Sequence, residues 1–151
     1  MKRVVSVSLG SSARNKRVEV ELLGEQFIIE RIGTDGDKAR AIQLIRELDG
    51  KVDAIGLGGI DLYLRCRGRK YVIRDAAALA RAARSTPVVD GGGLKHTLER
   101  RVIRYLDETG IVKFRGTRVL LVSGLDRFGM AETLDELGAD LVIGDLIFAL
   151  G

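Results

Sequence analysis

The sequence predicts an α/β protein: a mainly parallel, Rossmann-like sheet with helices on its faces and an N-terminal antiparallel hairpin. Three observations carry this. The first 32 residues alternate apolar and polar with β-branched side chains, four later apolar runs each end in glycine, and segments of helical period separate those runs.

Val4, Val5, Val7 and Leu9, interleaved with Ser6 and Ser8, read as the first strand. Val18 to Leu22 and Phe27 to Ile32 read as a second and third, joined as a hairpin through Leu23-Gly24-Glu25-Gln26. Gly33-Thr34-Asp35-Gly36-Asp37 then breaks the chain. Thr34 or Asp35 is expected to cap a helix with Ala41, Ile42, Ile45 and Leu48 on its apolar face, ending at Asp49-Gly50. Val52 to Ile55 leads into Gly56-Leu57-Gly58-Gly59, and Thr86 to Val89 into Asp90-Gly91-Gly92-Gly93. Val119 to Val122 and Leu141 to Ile143 supply two more strands, expected to be buried. Leu62 to Leu64 and Tyr71 to Ile73 form a hairpin turning at Arg67-Gly68-Arg69. Helices are expected at Asp75 to Arg84, Leu94 to Leu106 and about Arg127 to Leu137; in the second, Leu94, Leu98, Val102, Tyr105 and Leu106 form one stripe.

With 151 residues and 46% hydrophobic content, the chain is expected to form one α/β domain over 1–151. The apolar run Leu146 to Leu150 at its end suggests a homo-oligomer contact, or the N-terminal part of a longer protein. A formal charge of +4 favours a small anionic or polyol substrate over nucleic acid. The basic hairpin Arg65, Arg67, Arg69, Lys70 and Arg74 is accordingly read as solvated. One Cys and one His exclude a disulfide framework and a His/Cys zinc cluster, so no metal is expected and a cytoplasmic setting follows. No run reaches the ~18 apolar residues of a membrane span.

Thr117 to Asp145 reads strand, glycine turn, helix, strand, acid, the order of a dinucleotide site. Ser123, Gly124, Arg127 and Gly129 would serve the phosphates and Asp145, about 20 residues after Gly124, a ribose hydroxyl. Asp126 stands where the middle glycine of G-x-G-x-x-G would admit the pyrophosphate. Ligands in open α/β sheets gather beyond the carboxyl ends of the strands, which nominates Gly58, Gly59, Asp61, Gly92 and Gly93 for substrate. Lys95 with Asp90, or with Asp61, is the candidate proton relay for alcohol oxidation, because a lysine beside a carboxylate can carry the hydroxyl proton as hydride leaves. Ser6, Ser8, Ser11 and Ser12, around the end of the first strand, are candidates to hydrogen-bond a polyol or carboxylate.

The segments KRVVSVSLGSS, ERIGTDGD, DAIGLGGIDLYL, PVVDGGGLKHTLERRV and GADLVIGDLIFALG together resemble a bacterial family labelled quinate (shikimate) 5-dehydrogenase-like, over essentially the whole chain. The resemblance implies an NAD(P)-dependent oxidoreductase, with NAD or NADP as cofactor and a cyclic hydroxy acid such as quinate or shikimate as substrate. The N-x-T-x-P-x-K and N-T-D segments of shikimate dehydrogenases are absent here, so no catalytic residue transfers by motif. The alternative is a noncatalytic α/β ligand-binding or assembly domain holding a small anion or nucleotide.

Overall fold

The computed structural model describes residues 1–66 and 68–145, and within them the chain divides into two compact units. The first comprises Met1–Leu62 and Val72–Gly91, the second Tyr63–Tyr71 and Gly92 onward. The fold is mixed α/β, as the alternation of strand and helix signals predicts.

In the first unit, strands β1 (Lys2–Ser8), β2 (Lys16–Leu22), β3 (Glu25–Gly33), β4 (Ala54–Gly58) and β7 (Val88–Val89) form one sheet in the order β2-β3-β1-β4-β7. All pairings are parallel except the β2–β3 hairpin. Helices α1 (Lys38–Leu48) and α2 (Arg74–Ala80) supply the β3-to-β4 and β4-to-β7 crossovers. Both crossovers move in the same direction across the sheet, so right-handed connection sets both helices on one face. There Val5, Val7, Ile55 and Leu57 bury against Ala41, Leu44, Ile45, Ala76 and Leu79, the core of the unit.

The register places a different set of residues on the opposite face. Ser6 pairs with Arg31 and Gly56, Ser8 with Gly33 and Gly58, and Lys16 stands across from Arg31. Paired residues share a face, and alternate residues of a strand point to opposite faces. At the carboxyl ends of β1, β3 and β4 this face is therefore serine and glycine bordered by two cations, while toward the other end of the same strands it carries Val4, Val18, Phe27, Ile29 and Ala54.

Details of the first helix correct the sequence reading. Asp37, not Thr34 or Asp35, is the cap, its carboxylate accepting from Arg40 N at 2.9 Å. Thr34 is buried with its hydroxyl on Ser8 O, and Asp35 takes a positive φ in a turn that binds Ser12 N at 2.7 Å. Helix α2 also ends earlier than expected, at Ala80.

The second unit holds the hairpin β5 (Tyr63–Cys66) and β6 (Arg69–Val72, its last residue falling to the first unit), helices α3 (Gly92–His96), α4 (Leu98–Glu108) and α5 (Phe128–Glu136), and strands β8 (Arg118–Leu121) and β9 (Asp140–Ile143). Its core is Ile103, Phe114 and Leu134, surrounded by Leu106, Val119, Met130 and Leu141. Here the sequence reading needs two corrections. Strands β8 and β9 pair in parallel with each other in a separate two-stranded sheet, and Leu120, Val122 and Val142 are exposed rather than buried. The expected Leu94-to-Leu106 helix is broken at Thr97, which places Ile103 and Leu106 inward and leaves Leu98, Val102 and Tyr105 exposed. Ion pairs of Glu99 and Arg100 to Arg127 and Glu132 on the α5 side fix that rotation. The Leu146 to Leu150 run lies outside the described residues, as does Arg67.

Candidate anion-binding site

The Rossmann-like order has its reversal at β1: the chain leaves β1 toward β3 on one side, and β4 and β7 lie on the other. Ligands of open α/β sheets bind at such a switch point, outside the carboxyl ends of the strands. Three loops meet there. The β1-to-β2 connection crosses over the end of β3 at Gly33, where an added Cβ would lie 2.5 Å from Ser11 O and 2.6 Å from Gly10 O. Only a residue without a side chain lets that connection pass. The loop is then pinned by Gly33 N to Asn15 Oδ1 at 2.6 Å and Thr34 N to Ser8 O at 2.8 Å. The β4 loop joins it through Leu9 N to Gly58 O at 2.9 Å.

The crossing carries the short 3-10 turn Ser12–Arg14, and with it Arg14, back toward Arg31. The point that a Cβ on Gly10 would occupy is 2.8 Å from Arg14 Nη2, 2.9 Å from Arg31 Nη2 and 3.3 Å from Ser8 Oγ. Arg31 donates from Nη2 to Ser8 Oγ at 2.9 Å and from Nη1 to Ser11 O at 3.0 Å. Ser8 is itself buried and accepts Gly10 N at 3.1 Å. Among the described residues, none of Arg14, Lys16 and Arg31 forms an ion pair, whereas Arg3 and Arg17 in the same sheet both bind Glu30. Hydrogen bonds from Ser12, side chain and then backbone, hold the Asp35 carboxyl below the usual carboxylate range, with Arg31 assisting. Beside the arginines runs an open groove of about 340 Å³, lined by Asn15, Lys16, Arg17, Glu30, Arg31 and Ile32.

Of the residues nominated for substrate, Gly58 and Gly59 belong to this place. A Cβ on Gly58 would sit 2.7 Å from Ser8 Cβ and 3.1 Å from Ser6 Oγ, and one on Gly59 3.2 Å from Gly10 N. Asp61 and Asp90 lie in the same unit, where Asp90 Oδ2 accepts Leu62 N at 2.7 Å and so ties the β4 and β7 loops. Sequence reasoning picked out the serines but missed Arg14, Lys16 and Arg31. The available signal was the hairpin register, which sets Lys16 opposite Arg31 once the turn at Leu23-Gly24 is fixed.

The remaining nominees lie in the second unit. Gly92 and Gly93 open α3, and Lys95 on that helix forms an ion pair with Asp126. Gly124 is required for packing, since a Cβ there would be 2.7 Å from Ile143 Cγ2. Gly129 lets α5 close on α3 and α4, its Cβ position lying 3.0 Å from Lys95 O. Arg127 is paired with Glu99, and Ser123 O accepts Arg127 N at 3.1 Å. Asp145 turns back on its own loop, with Oδ2 accepting Leu125 N at 2.9 Å and Oδ1 buried without a partner among the described residues.

A family model described as a domain of unknown function, DUF8753, matches residues 3–90, more than half of the chain. The chain belongs to the DUF8753 family. A second model, the domain of unknown function DUF8754, matches residues 93–151. The DUF8753 match thus contains the whole anion-binding candidate, and the junction of the two matches falls in the Gly91-Gly92-Gly93 run, where the chain also passes from the first compact unit to the second. No curated protein matches the sequence. Among solved structures, the catalytic subunit of M. jannaschii aspartate transcarbamoylase matches 94% of this chain at 16% identity with a TM-score of 0.43. The chain spans 46% of that subunit's length.

Among the described residues, no helix is long and apolar enough to cross a membrane, and no cluster of His, Cys, Asp and Glu is arranged to hold a metal.

Proposed function

We propose that the DUF8753 region is a ligand-binding α/β domain whose ligand presents a carboxylate or phosphate to Arg14 and Arg31. The observation that carries this is the cross-strand pair of Lys16 and Arg31, like charges set directly opposite each other with Arg14 beside them and no carboxylate ion-paired to any of the three. Like charges at such positions are destabilising, by roughly 0.2–1 kcal/mol per pair, and an anion bound between them reverses the sign. Arginine suits the task because its planar fork meets two oxygens of a carboxylate or phosphate at once. Ser6, whose hydroxyl has no hydrogen bond to a described residue, offers a partner to a hydroxylated body such as a cyclic hydroxy acid, and Gly56 and Gly58 make the space that Ser6 and Ser8 occupy.

The test is a thermal-shift and calorimetric panel of inorganic phosphate, citrate, quinate and shikimate against the wild type and the Arg14→Gln and Lys16→Gln variants. Saturable, salt-sensitive binding that weakens in both variants supports the reading. Absence of binding by every anion, or binding that both variants retain unchanged, overturns it.

A second reading, an NAD(P)-dependent oxidoreductase acting on quinate or shikimate, draws on the β8–α5–β9 unit, whose parallel strands and intervening helix follow the order of a dinucleotide site. Its weakness is local. Asp126 and Asp145 bring two carboxylates to the turn, and the Leu125 N–H is already given to Asp145. A cytoplasmic setting, read from the single free Cys66, and homo-oligomer formation through the exposed Leu98, Val102 and Tyr105 complete the proposal.

A further inference from the structure

The second unit holds a cleft of about 330 Å³ between the β5–β6 hairpin and helices α3, α4 and α5, and nothing in the first site uses it. Its walls include Arg65 and Cys66 from the hairpin, His96 from α3, Arg100 from α4, and Phe128 and Glu132 from α5. We propose that this cleft binds an organic anion of one ring, its carboxylate or phosphate held by Arg65 and His96 and its ring lying on Phe128.

The charge count of the cleft favours an anion. Arg100 and Glu132 are paired and cancel each other. Arg65 forms no ion pair with a described residue, which leaves the described lining of the cleft one positive charge in excess. The volume lies at the low end of the ~300–1,000 Å³ of small-molecule sites, so one ring with its charged group fills it. Phe128 supplies the apolar wall such a ring needs, and Cys66, largely buried, adds a polarizable one.

His96 makes binding sensitive to protons. The charged groups facing it are Arg65 from the hairpin, Arg100 from α4, Lys95 from its own helix and Glu132 from α5. Burial first, then Arg65 and Arg100, hold its imidazole below the usual histidine range, with Glu132 opposing. A neutral imidazole still donates one N–H to an anion, and an anion beside it favours the protonated ring with two. Ligand binding therefore raises the His96 pKa, and affinity rises as pH falls through that transition.

The chain has one histidine and one cysteine, both in this cleft, so each reports on it without background. The experiment follows the imidazole resonances of His96 through a pH titration, and the rate at which iodoacetamide alkylates Cys66, with benzoate, phenyl phosphate or inorganic phosphate at millimolar concentration. Benzoate or phenyl phosphate should raise the His96 pKa by about one unit, equivalent to about tenfold tighter binding to the protonated form. Either should also slow alkylation of Cys66. Both effects should vanish in Arg65→Gln, and Phe128→Ala should weaken the ring compounds, with circular dichroism confirming that each variant is folded. If no probe shifts His96 or protects Cys66, the proposal fails. If inorganic phosphate acts as well as the ring compounds, or Arg65→Gln retains the response, the assignment of ring and arginine fails.

Discussion

Lys16 and Arg31 face each other across the antiparallel β2–β3 ladder, two cations in direct register with Arg14 Nη2 and Arg31 Nη2 meeting at the edge of Gly10. An arrangement that stores repulsion when empty should show a trade between stability and binding. Lys16→Gln is expected to stabilise the ligand-free protein by about 0.2–1 kcal/mol and to weaken phosphate or carboxylate binding at the same time. Denaturant midpoints with and without anion check both halves. A variant that loses stability in the absence of ligand would show that the pair is not repulsive.

Gly33 tests the crossing that builds the site. An alanine Cβ there would be 2.5 Å from the backbone oxygen of Ser11, which cannot rotate away as a side chain would. Gly33→Ala should cost about 1–3 kcal/mol through overpacking and lower anion affinity by displacing Arg14. Gly36→Ala is the control: no atom lies within 4 Å of its Cβ position, and only its φ of 85° opposes the change. It should destabilise through the turn, leaving Arg14 where it is. Equal loss of anion affinity in the two variants would reject the crossing as the cause.

Asp49 is expected to contribute to the acid limb of stability. Its carboxylate accepts Arg84 N at 2.8 Å, Ser85 N at 2.9 Å and Thr86 N at 2.8 Å, tying the end of α1 to the entry of β7. The backbone hydrogen bonds, Thr86 first, lower its pKa from 3.8 to about 2. The folded pKa lies below the unfolded one, so the stabilisation is complete above 3.8 and is lost as pH falls through about 2. Asp49→Asn should reduce the melting temperature at neutral pH and flatten its decline between those two values. A variant curve that parallels the wild type over that window would assign the acid transition to other carboxylates.

How much of this was legible in the sequence depends on how local the signal was. The β2–β3 hairpin and the α1 and α5 helices follow from alternation, turn residues and helical period, all set within a few residues. The grouping of strands was not legible, because β8 and β9 are as apolar as β4 and β7, and their pairing in a separate sheet is decided by long-range contacts. The α4 stripe misled for a related reason. Thr97 interrupts the helix, and ion pairs to α5 select the Glu99, Arg100, Ile103 and Leu106 side over the more hydrophobic one. Gly58 and Gly59 were found from loop position alone, whereas Arg14 and Arg31 come from different elements and meet only through the crossing at Gly33.

The β8–α5–β9 turn provides the last prediction. A dinucleotide pyrophosphate needs free backbone N–H groups at the start of the helix and space free of negative charge. Here Leu125 N is bound by Asp145 Oδ2, Arg127 N by Ser123 O, and Asp126 is joined to Lys95. To admit the cofactor, Asp145 would have to release Leu125 and turn its carboxylate toward a ribose. The expected outcome is no change in melting temperature with NAD or NADP, while Asp145→Ala lowers stability by about 1–3 kcal/mol, because the Leu125 N–H loses its acceptor. A saturable shift with NAD or NADP that Asp145→Ala removes would instead place a dinucleotide at this turn and overturn the expectation.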